Sequence, residues 1–435
     1  MGQKEPYREY LIVMSELYKY SQFNIEVEET SKGLLIYNTL SQKARYFDEE
    51  DKKLMLNKTD IDPLDIMSEF IDEGFVVPIE KDEPAVIINR NHYYAYNHHT
   101  MELVIGTTMK CNYHCNYCFQ HENLNKSTHM NHETADTLFR FVQDELNSNP
   151  HINKVHIRWF GGETLLNTEI MNYIADKFIA ANINFDGEIY SNCRLLTEDK
   201  HALLQKCNIH KIDATVDGLP ETYANIKGCK IEDFEETINN LRSIQDKIET
   251  VDLKINVSEE NKHEAFDLAK ALYKDYGLHV NVRFRPVILY DDKQMKAKYG
   301  INYDDYVALV TKLLQWQKKN GYKTSVGAYS SIKPTTCIAS GIHNYVIDNQ
   351  GNIYRCTHFH GNTNHRLGNV FTGLTHPDEE KIFVDNEIPK LCHKCSVLPL
   401  CMSGCIAQRK MYNMQFDCQG IIEEVRQTVK INQSD

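Results

Sequence analysis

Between residues 102 and 287 the sequence predicts an α/β fold: a parallel sheet of six β/α units, open or curled into a partial (β/α)6 barrel. Two periodicities that alternate along the chain predict it. Runs with the two-residue period of half-buried strands fall at 102–107, 154–159, 187–190, 211–216, 252–257 and 280–285. In the second of these, Val155, Ile157 and Trp159 alternate with Lys154, His156 and Arg158; Leu253, Ile255 and Val257 repeat the pattern later. The intervening runs carry the 3.6-residue period of amphipathic helices. Ala135, Leu138, Phe139, Val142 and Leu146 share one face behind a cap at Asn131, and Phe234, Ile238, Leu241 and Ile244 share another. Six such units in succession require parallel strands joined by crossover helices, which places a functional site on the loops at the carboxyl ends of the strands.

The flanking segments read differently. Runs at 23–28 and 34–39 form a ribbon around Ser31-Lys32-Gly33. A helical stretch at 63–73 then leads to a short apolar strand at 75–78. This predicts a small α+β unit of winged-helix type, or an irregular cap, with 81–99 as its linker. The expected division is 1–99 for this unit, 100–310 for the barrel and 311–435 for a cysteine-rich extension.

With 435 residues the chain has room for two or three domains, and 42% hydrophobic residues suffice for a sizeable core. The net charge of −13 argues against a general nucleic-acid binder, which needs a basic face. The opening residues are polar and charged, and no run approaches a membrane span, so a cytoplasmic protein without membrane association is expected. Thirteen cysteines in a reducing compartment point to metal ligation rather than disulfides. Ten fall into ordered spacings; Cys193, Cys207 and Cys229 do not, and are expected to be buried, inert thiols.

Directly after the first barrel strand the chain reads M-K-C-N-Y-H-C-N-Y-C-F-Q, a C-x3-C-x2-C run of Cys111, Cys115 and Cys118. Three close thiolates on one loop can hold three irons of a cubane and leave the fourth iron open to a small molecule. With His114 or His121 the same cysteines also fit a zinc site. After the second strand comes Trp159-Phe160-Gly161-Gly162-Glu163, a turn whose glycines admit a ligand close to the backbone and whose carboxylate can meet an ammonium. Ser191-Asn192 follows the third strand and Asp217-Gly218 the fourth.

Together these motifs resemble the radical S-adenosylmethionine (SAM) superfamily, whose fold is a partial TIM-like barrel. The resemblance implies a [4Fe-4S] cluster on Cys111, Cys115 and Cys118, with SAM chelating the open iron. It places Gly161, Gly162 and Glu163 near the SAM amino group, Tyr117 and Phe119 beside the adenine, and Ser191 near the ribose or methionine end. Reductive cleavage of SAM would yield a 5′-deoxyadenosyl radical that abstracts hydrogen from substrate. Two positions depart from the common pattern: Thr164 stands where relatives often have proline, and Ser191-Asn192-Cys193 where they read T-N-G.

Seven further cysteines complete the picture: Cys337, Cys356 with four residues between it and Gly351, and Cys392-x2-Cys395-x5-Cys401-x3-Cys405-x12-Cys418. They resemble the SPASM extension of radical maturases, which holds two auxiliary iron–sulfur clusters. The resemblance assigns Cys392, Cys395, Cys401 and Cys418 to one cluster and Cys337, Cys356 and Cys405 to the other. The fourth ligand of the second is left open; His358, His360 and His365 lie nearby but read as solvated loop residues, as does the acidic run at 378–380. Arg283 and Arg285 alternate on the sixth strand, each suited to a carboxylate of ligand or to a structural ion pair.

The expected function is a maturase of ribosomally made peptides, installing a thioether, a carbon–carbon crosslink or an epimerised residue. The N-terminal unit would grip the precursor by strand addition around residues 25–48, and a flavodoxin or ferredoxin would donate electrons. A sulfatase maturase forming formylglycine is the first alternative. Against it stand some 110 residues before Cys111, and Thr357 where those enzymes place an aspartate after the G-x4-C cysteine. An iron–sulfur electron carrier is the second, but a carrier needs neither the open-iron triplet nor the Gly161–Glu163 turn.

Overall fold

The computed structural model describes residues 17–56, 61, 68–124, 128–287, 298–324, 329 and 331–433. Six parallel strands carry the centre: β6 (Thr100–Gly106), β7 (Lys154–Phe160), β8 (Phe185–Ser191), β9 (Ile209–Thr215), β10 (Thr250–Val257) and β11 (Asn281–Pro286). They pair in sequence order, β11-β10-β9-β8-β7-β6. All six predicted strands are present to within two residues, and helices His132–Ser148 and Glu232–Ile244 sit where the 3.6 period put them. Asn131 caps the first of these, its side chain accepting from Thr134 N at 2.9 Å.

Each barrel strand has two faces with different physics. Val155, Ile157 and Trp159 of β7 are fully buried and join Leu138, Val142, Ile174 and Phe178 of the surrounding helices in the main core. The opposite face carries charges paired from strand to strand. Arg158 meets Glu102 at 3.3 Å and Glu188 at 2.6 Å, Lys211 meets Glu188 at 3.2 Å and Asp252 at 3.3 Å, and Arg283 meets Asp252 at 2.9 Å. The alternation in the sequence is therefore helix-facing apolar residues against an inward ladder of ion pairs. Breaking such a ladder on one side leaves a partly buried charge without its partner, which costs more than an exposed pair returns.

Beyond β6 the sheet continues into the cysteine-rich region. Strand β12 (Tyr345–Ile347) pairs in parallel with Leu103–Ile105, and β13 (Asn352–Tyr354), β14 (Gly368–Asn369) and β15 (Gly373–Leu374) follow antiparallel. The sequence reading did not anticipate these strands, because two or three residues give no period to detect. The expected boundary at 310/311 also falls inside the helix Tyr303–Lys319, which packs on β11 and on the C-terminal helix Cys418–Gln433.

In the N-terminal unit the ribbon is a three-stranded sheet, β2 (Asn24–Thr30), β3 (Gly33–Asn38) and β4 (Lys43–Phe47), with β1 (Tyr18–Tyr20) and β5 (Val76–Pro78) paired beside it. Of the predicted helix at 63–73, Ser68–Asp72 is helical and 63–67 lie outside the described residues. The supposed linker at 81–99 is mostly the helix Glu83–Tyr96, capped by Asp82 with a proline in its first turn. Polar Asn91 interrupts its buried stripe between Ile87 and Ala95 and hides the helical period in the sequence. Among the described residues no helix is long and apolar enough to cross a membrane.

Two outcomes test this architecture. Leu138→Ala should lower unfolding free energy by ~2–5 kcal/mol and Asn131→Ala by ~1 kcal/mol, read from urea denaturation of the protein; equal effects would contradict the assigned burial. Burial opposes ionisation of Glu188 and Asp252, but Arg158 and Lys211 at Glu188, and Arg283 and Lys211 at Asp252, outweigh it and hold both below the usual carboxylate range. A depressed folded-state value stabilises above the unfolded carboxylate range of ~4 and is lost as pH falls through the folded value. The urea midpoint should therefore drop on acidification below pH ~4, and less steeply in Glu188→Gln.

Candidate active site

The loop leaving β6 carries Cys111, Cys115 and Cys118, and two neighbouring loops hold it. On one side Gly162 N donates to Thr108 O at 2.9 Å and Glu163 N to Lys110 O at 2.8 Å. Contact is so close that a Cβ on Gly161 would lie 2.3 Å from Thr108 O, and one on Gly162 2.4 Å from Lys110 O; Gly161 also has φ +145°. On the other side His114 N donates to Lys227 O at 2.9 Å and Asn116 N to Ile226 O at 3.0 Å. The three thiols lie within electrostatic reach of one another. Burial pushes Cys111 up to about 12 and Cys118 up to about 11. Bare thiols in this setting stay protonated, whereas coordination to a metal ionises them.

Glu163 is 1% exposed, and its carboxylate points into the protein. It accepts from Leu165 N at 3.1 Å, Ser191 Oγ at 2.9 Å and Asn192 N at 2.8 Å. This side chain ties the β7 loop to the β8 loop, and Ser191 is the other half of that tie. Burial raises the Glu163 carboxyl while these three donors oppose the rise. The backbone of Gly161 and Gly162 is what this turn sets against the cysteine loop.

Tyr117 and Phe119 open onto a cavity of about 840 Å³ between the barrel and the C-terminal region. Lys254, Asn256, Arg285, Tyr303, Tyr306 and His358 help line it. Arg283 is engaged by Asp252, whereas among the described residues no carboxylate lies in ion-pair range of Arg285. Both aromatic residues thus border a ligand-sized space; the involvement of Asn256 and His358 was not legible in the sequence, since neither belongs to a motif.

Among the seven C-terminal cysteines two neighbourhoods stand out. Cys401 lies within electrostatic reach of Cys392, Cys395 and Cys418; Cys356 lies within reach of Cys337 and Cys405. Burial pushes Cys401 and Cys337 up to about 11. Among the described residues no group of three or more His, Cys, Asp or Glu converges on a single ion position. Each set is all thiol, the donor chemistry that iron–sulfur clusters take. Of the three thiols expected to be buried, Cys193 and Cys207 are fully buried in the main core, whereas Cys229 is only partly buried at its edge.

The histidines depart from expectation. His358 bonds Tyr412 Oη at 2.9 Å and lies 5.6 Å from the Phe119 ring, His365 faces Glu379 at 3.6 Å, and His360 is 1% exposed with Nδ1 3.1 Å from Gln120 Nε2. Only Gly106 leaves room for the His360 ring, since a Cβ there would sit 1.8 Å from its Nε2. Burial pushes His360 down to about 4, so it is neutral. His358 and His360 pack the Cys356 loop against Phe119 and Gln120, just after Cys118, and His365 stays half-buried against Phe359 and Glu379. Likewise the acidic run at 378–380 forms the first turn of the helix Pro377–Val384, where Glu380 pairs with buried Arg355.

Residues 105–272 match the model of the Radical SAM superfamily. An uncharacterised protein of Methanocaldococcus jannaschii is 30% identical over 27% of this chain and 38% of its own length. A GTP 3′,8-cyclase of Desulforamulus reducens is 28% identical over 42% of this chain and 55% of its own. The chain thus spans about half or less of these relatives. Among solved structures, anSMEcpe with bound AdoMet aligns with TM-score 0.60 at 19% identity, covering 76% of this chain and 99% of that one. SuiB of Streptococcus suis bound to precursor peptide SuiA aligns with TM-score 0.53 at 14% identity, covering 89% and 95%. At these identities the likeness is one of fold: a mixed α/β chain with a partial barrel and a cysteine-rich C-terminus.

The close backbone approach yields a direct test. Gly162→Ala should unprotect the amides of residues 162 and 163 in hydrogen exchange while far-UV circular dichroism stays unchanged. Full protection in the variant would contradict the geometry.

Proposed function

We propose that this chain, which carries a radical SAM domain, is a radical enzyme that modifies a ribosomally made precursor peptide. The seating of the N-terminal sheet carries the peptide reading. Ile25, Val27, Leu35 and Tyr37 of β2 and β3 share one core with Val397 and Leu400 beside the Cys392–Cys401 turn, and with Ile421, Val425 and Val429 of the C-terminal helix. The likeness to SuiB also extends over 89% of the chain, against 76% for anSMEcpe. The outer side of β2 is engaged where Arg426 Nε donates to Glu26 O at 3.0 Å. Strand β4 forms the other edge of that sheet and, among the described residues, pairs only with β3. An unpaired edge beside a catalytic body is what strand addition of an extended peptide requires.

Cys111, Cys115 and Cys118 would hold a [4Fe-4S] cluster, Cys392, Cys395, Cys401 and Cys418 one auxiliary cluster, and Cys337, Cys356 and Cys405 the other. When bound, cluster and SAM supply one-electron cleavage to methionine and a 5′-deoxyadenosyl radical able to take hydrogen from a peptide carbon. The chain's own residues then do four things. Gly161 and Gly162 hold the loop's backbone, Glu163 and Ser191 lock two strand ends, Tyr117 and Phe119 wall the adenosine space, and the cavity beyond them receives the side chain to be modified. A flavodoxin or ferredoxin would donate the electron. The formylglycine-forming reading loses support because Thr357, which follows Cys356, offers no carboxyl to act as base.

Anaerobic reconstitution with iron and sulfide, followed by SAM and a strong reductant, tests this reading. Wild type should release 5′-deoxyadenosine. Cys115→Ala should release none while keeping the iron of the two C-terminal sets. Zinc in place of iron, or 5′-deoxyadenosine from Cys115→Ala, would overturn it.

A further inference from the structure

One buried ion pair lies against the cysteine loop and has no part in the roles above. Lys227 ends the helix Pro220–Lys227 and is 1% exposed; Asp217, at the end of β9, is fully buried. The Lys227 ammonium has three donors, and all three are engaged: by Asp217 Oδ2 at 2.5 Å, Thr215 Oγ1 at 2.7 Å and Tyr117 Oη at 3.0 Å. Tyr117 in turn donates to Asp217 Oδ2 at 2.5 Å and accepts from Asn256 Nδ2 at 3.1 Å, while Asn256 N donates to Asp217 Oδ1 at 2.7 Å. The ammonium also lies 5.6 Å from the centre of the Tyr117 ring. The backbone repeats the attachment, because the carbonyls of Lys227 and Ile226 receive His114 N and Asn116 N. The helix must stop there. Gly228 adopts φ +60°, and a Cβ on it would lie 2.9 Å from His114 O.

A buried pair of this kind rarely stabilises a fold more than apolar packing of the same volume would. Its value here is geometric and electrostatic. It fixes the ring between Cys115 and Cys118 in one orientation. It also sets a buried ammonium against the loop: the Lys227 carbonyl takes His114 N, next to Cys115, and the ammonium bonds Tyr117, next to Cys118.

We infer that Lys227 is a positioning residue for the radical-generating centre: paired with Asp217, it holds Tyr117 as a wall of the adenosine space and makes the cluster on Cys111, Cys115 and Cys118 easier to reduce. The inference rests on the cluster assignment proposed above. The electron comes from the external reductant and Lys227 keeps its proton, so what changes is the energy of the reduced state relative to the oxidised one.

The test uses the full chain, anaerobically loaded: wild type, Lys227→Arg, Lys227→Met and the double variant Asp217→Asn/Lys227→Met. Its readouts are iron and sulfide content, the midpoint potential of the cluster by electron paramagnetic resonance, and SAM affinity by equilibrium dialysis. Lys227→Met should load iron, take up its electron at a more negative potential and bind SAM at least tenfold more weakly, with Lys227→Arg restoring both. If Lys227→Met does not fold, the double variant, which leaves no lone buried charge, decides by the same two readouts. Wild-type potential and affinity in the folded variant would overturn the inference. A wild type that loads no cluster on the Cys111–Cys118 loop would instead sink the assignment beneath it.

Discussion

The structure depends on the approach of one turn to one loop. The β7 turn meets the cysteine loop through main chain alone, with Gly162 N on Thr108 O and Glu163 N on Lys110 O, at a separation that admits no side chain at 161 or 162. Parallel pairing of β6 with β7 brings the two strand ends level, Gly106 beside Phe160, so the loops start from neighbouring points. Everything else at the site braces that contact. Glu163 ties it to the β8 loop, and Lys227 with Asp217 ties the far side of the cysteine loop to β9 and β10.

The barrel tolerates such a polar centre because its strands separate two kinds of stabilisation. Apolar residues facing the helices form the main core, while the inward charges neutralise one another from strand to strand. The ladder runs up toward the cavity and stops at Arg285, which lines that space without a carboxylate partner among the described residues. The C-terminal region is not an appendage to this body. It donates β12 to the same sheet, packs His358 and His360 against the loop after β6, and shares a core with the N-terminal sheet. The three cysteine sets are therefore held in one continuous framework.

Much of this was legible in the sequence, for identifiable reasons. Strands such as 154–160 and helices such as Glu232–Ile244 have one buried face and a long enough run to show a period. The cysteines stood out by their spacing, and their division into sets came from the resemblance to the family. What escaped were features with no local signature. Strand β12 is three buried residues, Lys227 is an ordinary helix-ending lysine until the fold places Asp217 and Tyr117 around it, and the helix Glu83–Tyr96 reads as linker because polar residues interrupt its apolar face. Glu163 illustrates the opposite case: the motif was found, but only the fold shows its carboxylate turned inward to Ser191 and Asn192.

The central claim is that the loop of Cys111, Cys115 and Cys118 presents an iron to which SAM binds directly. Electron–nuclear double resonance on the reduced enzyme with ¹⁵N-labelled SAM reads that contact itself. A nitrogen hyperfine coupling in wild type, absent when Cys115 is alanine and retained when Cys395 is alanine, is the predicted result. No coupling in a fully loaded, reduced wild type, or a coupling that survives loss of Cys115, would contradict it.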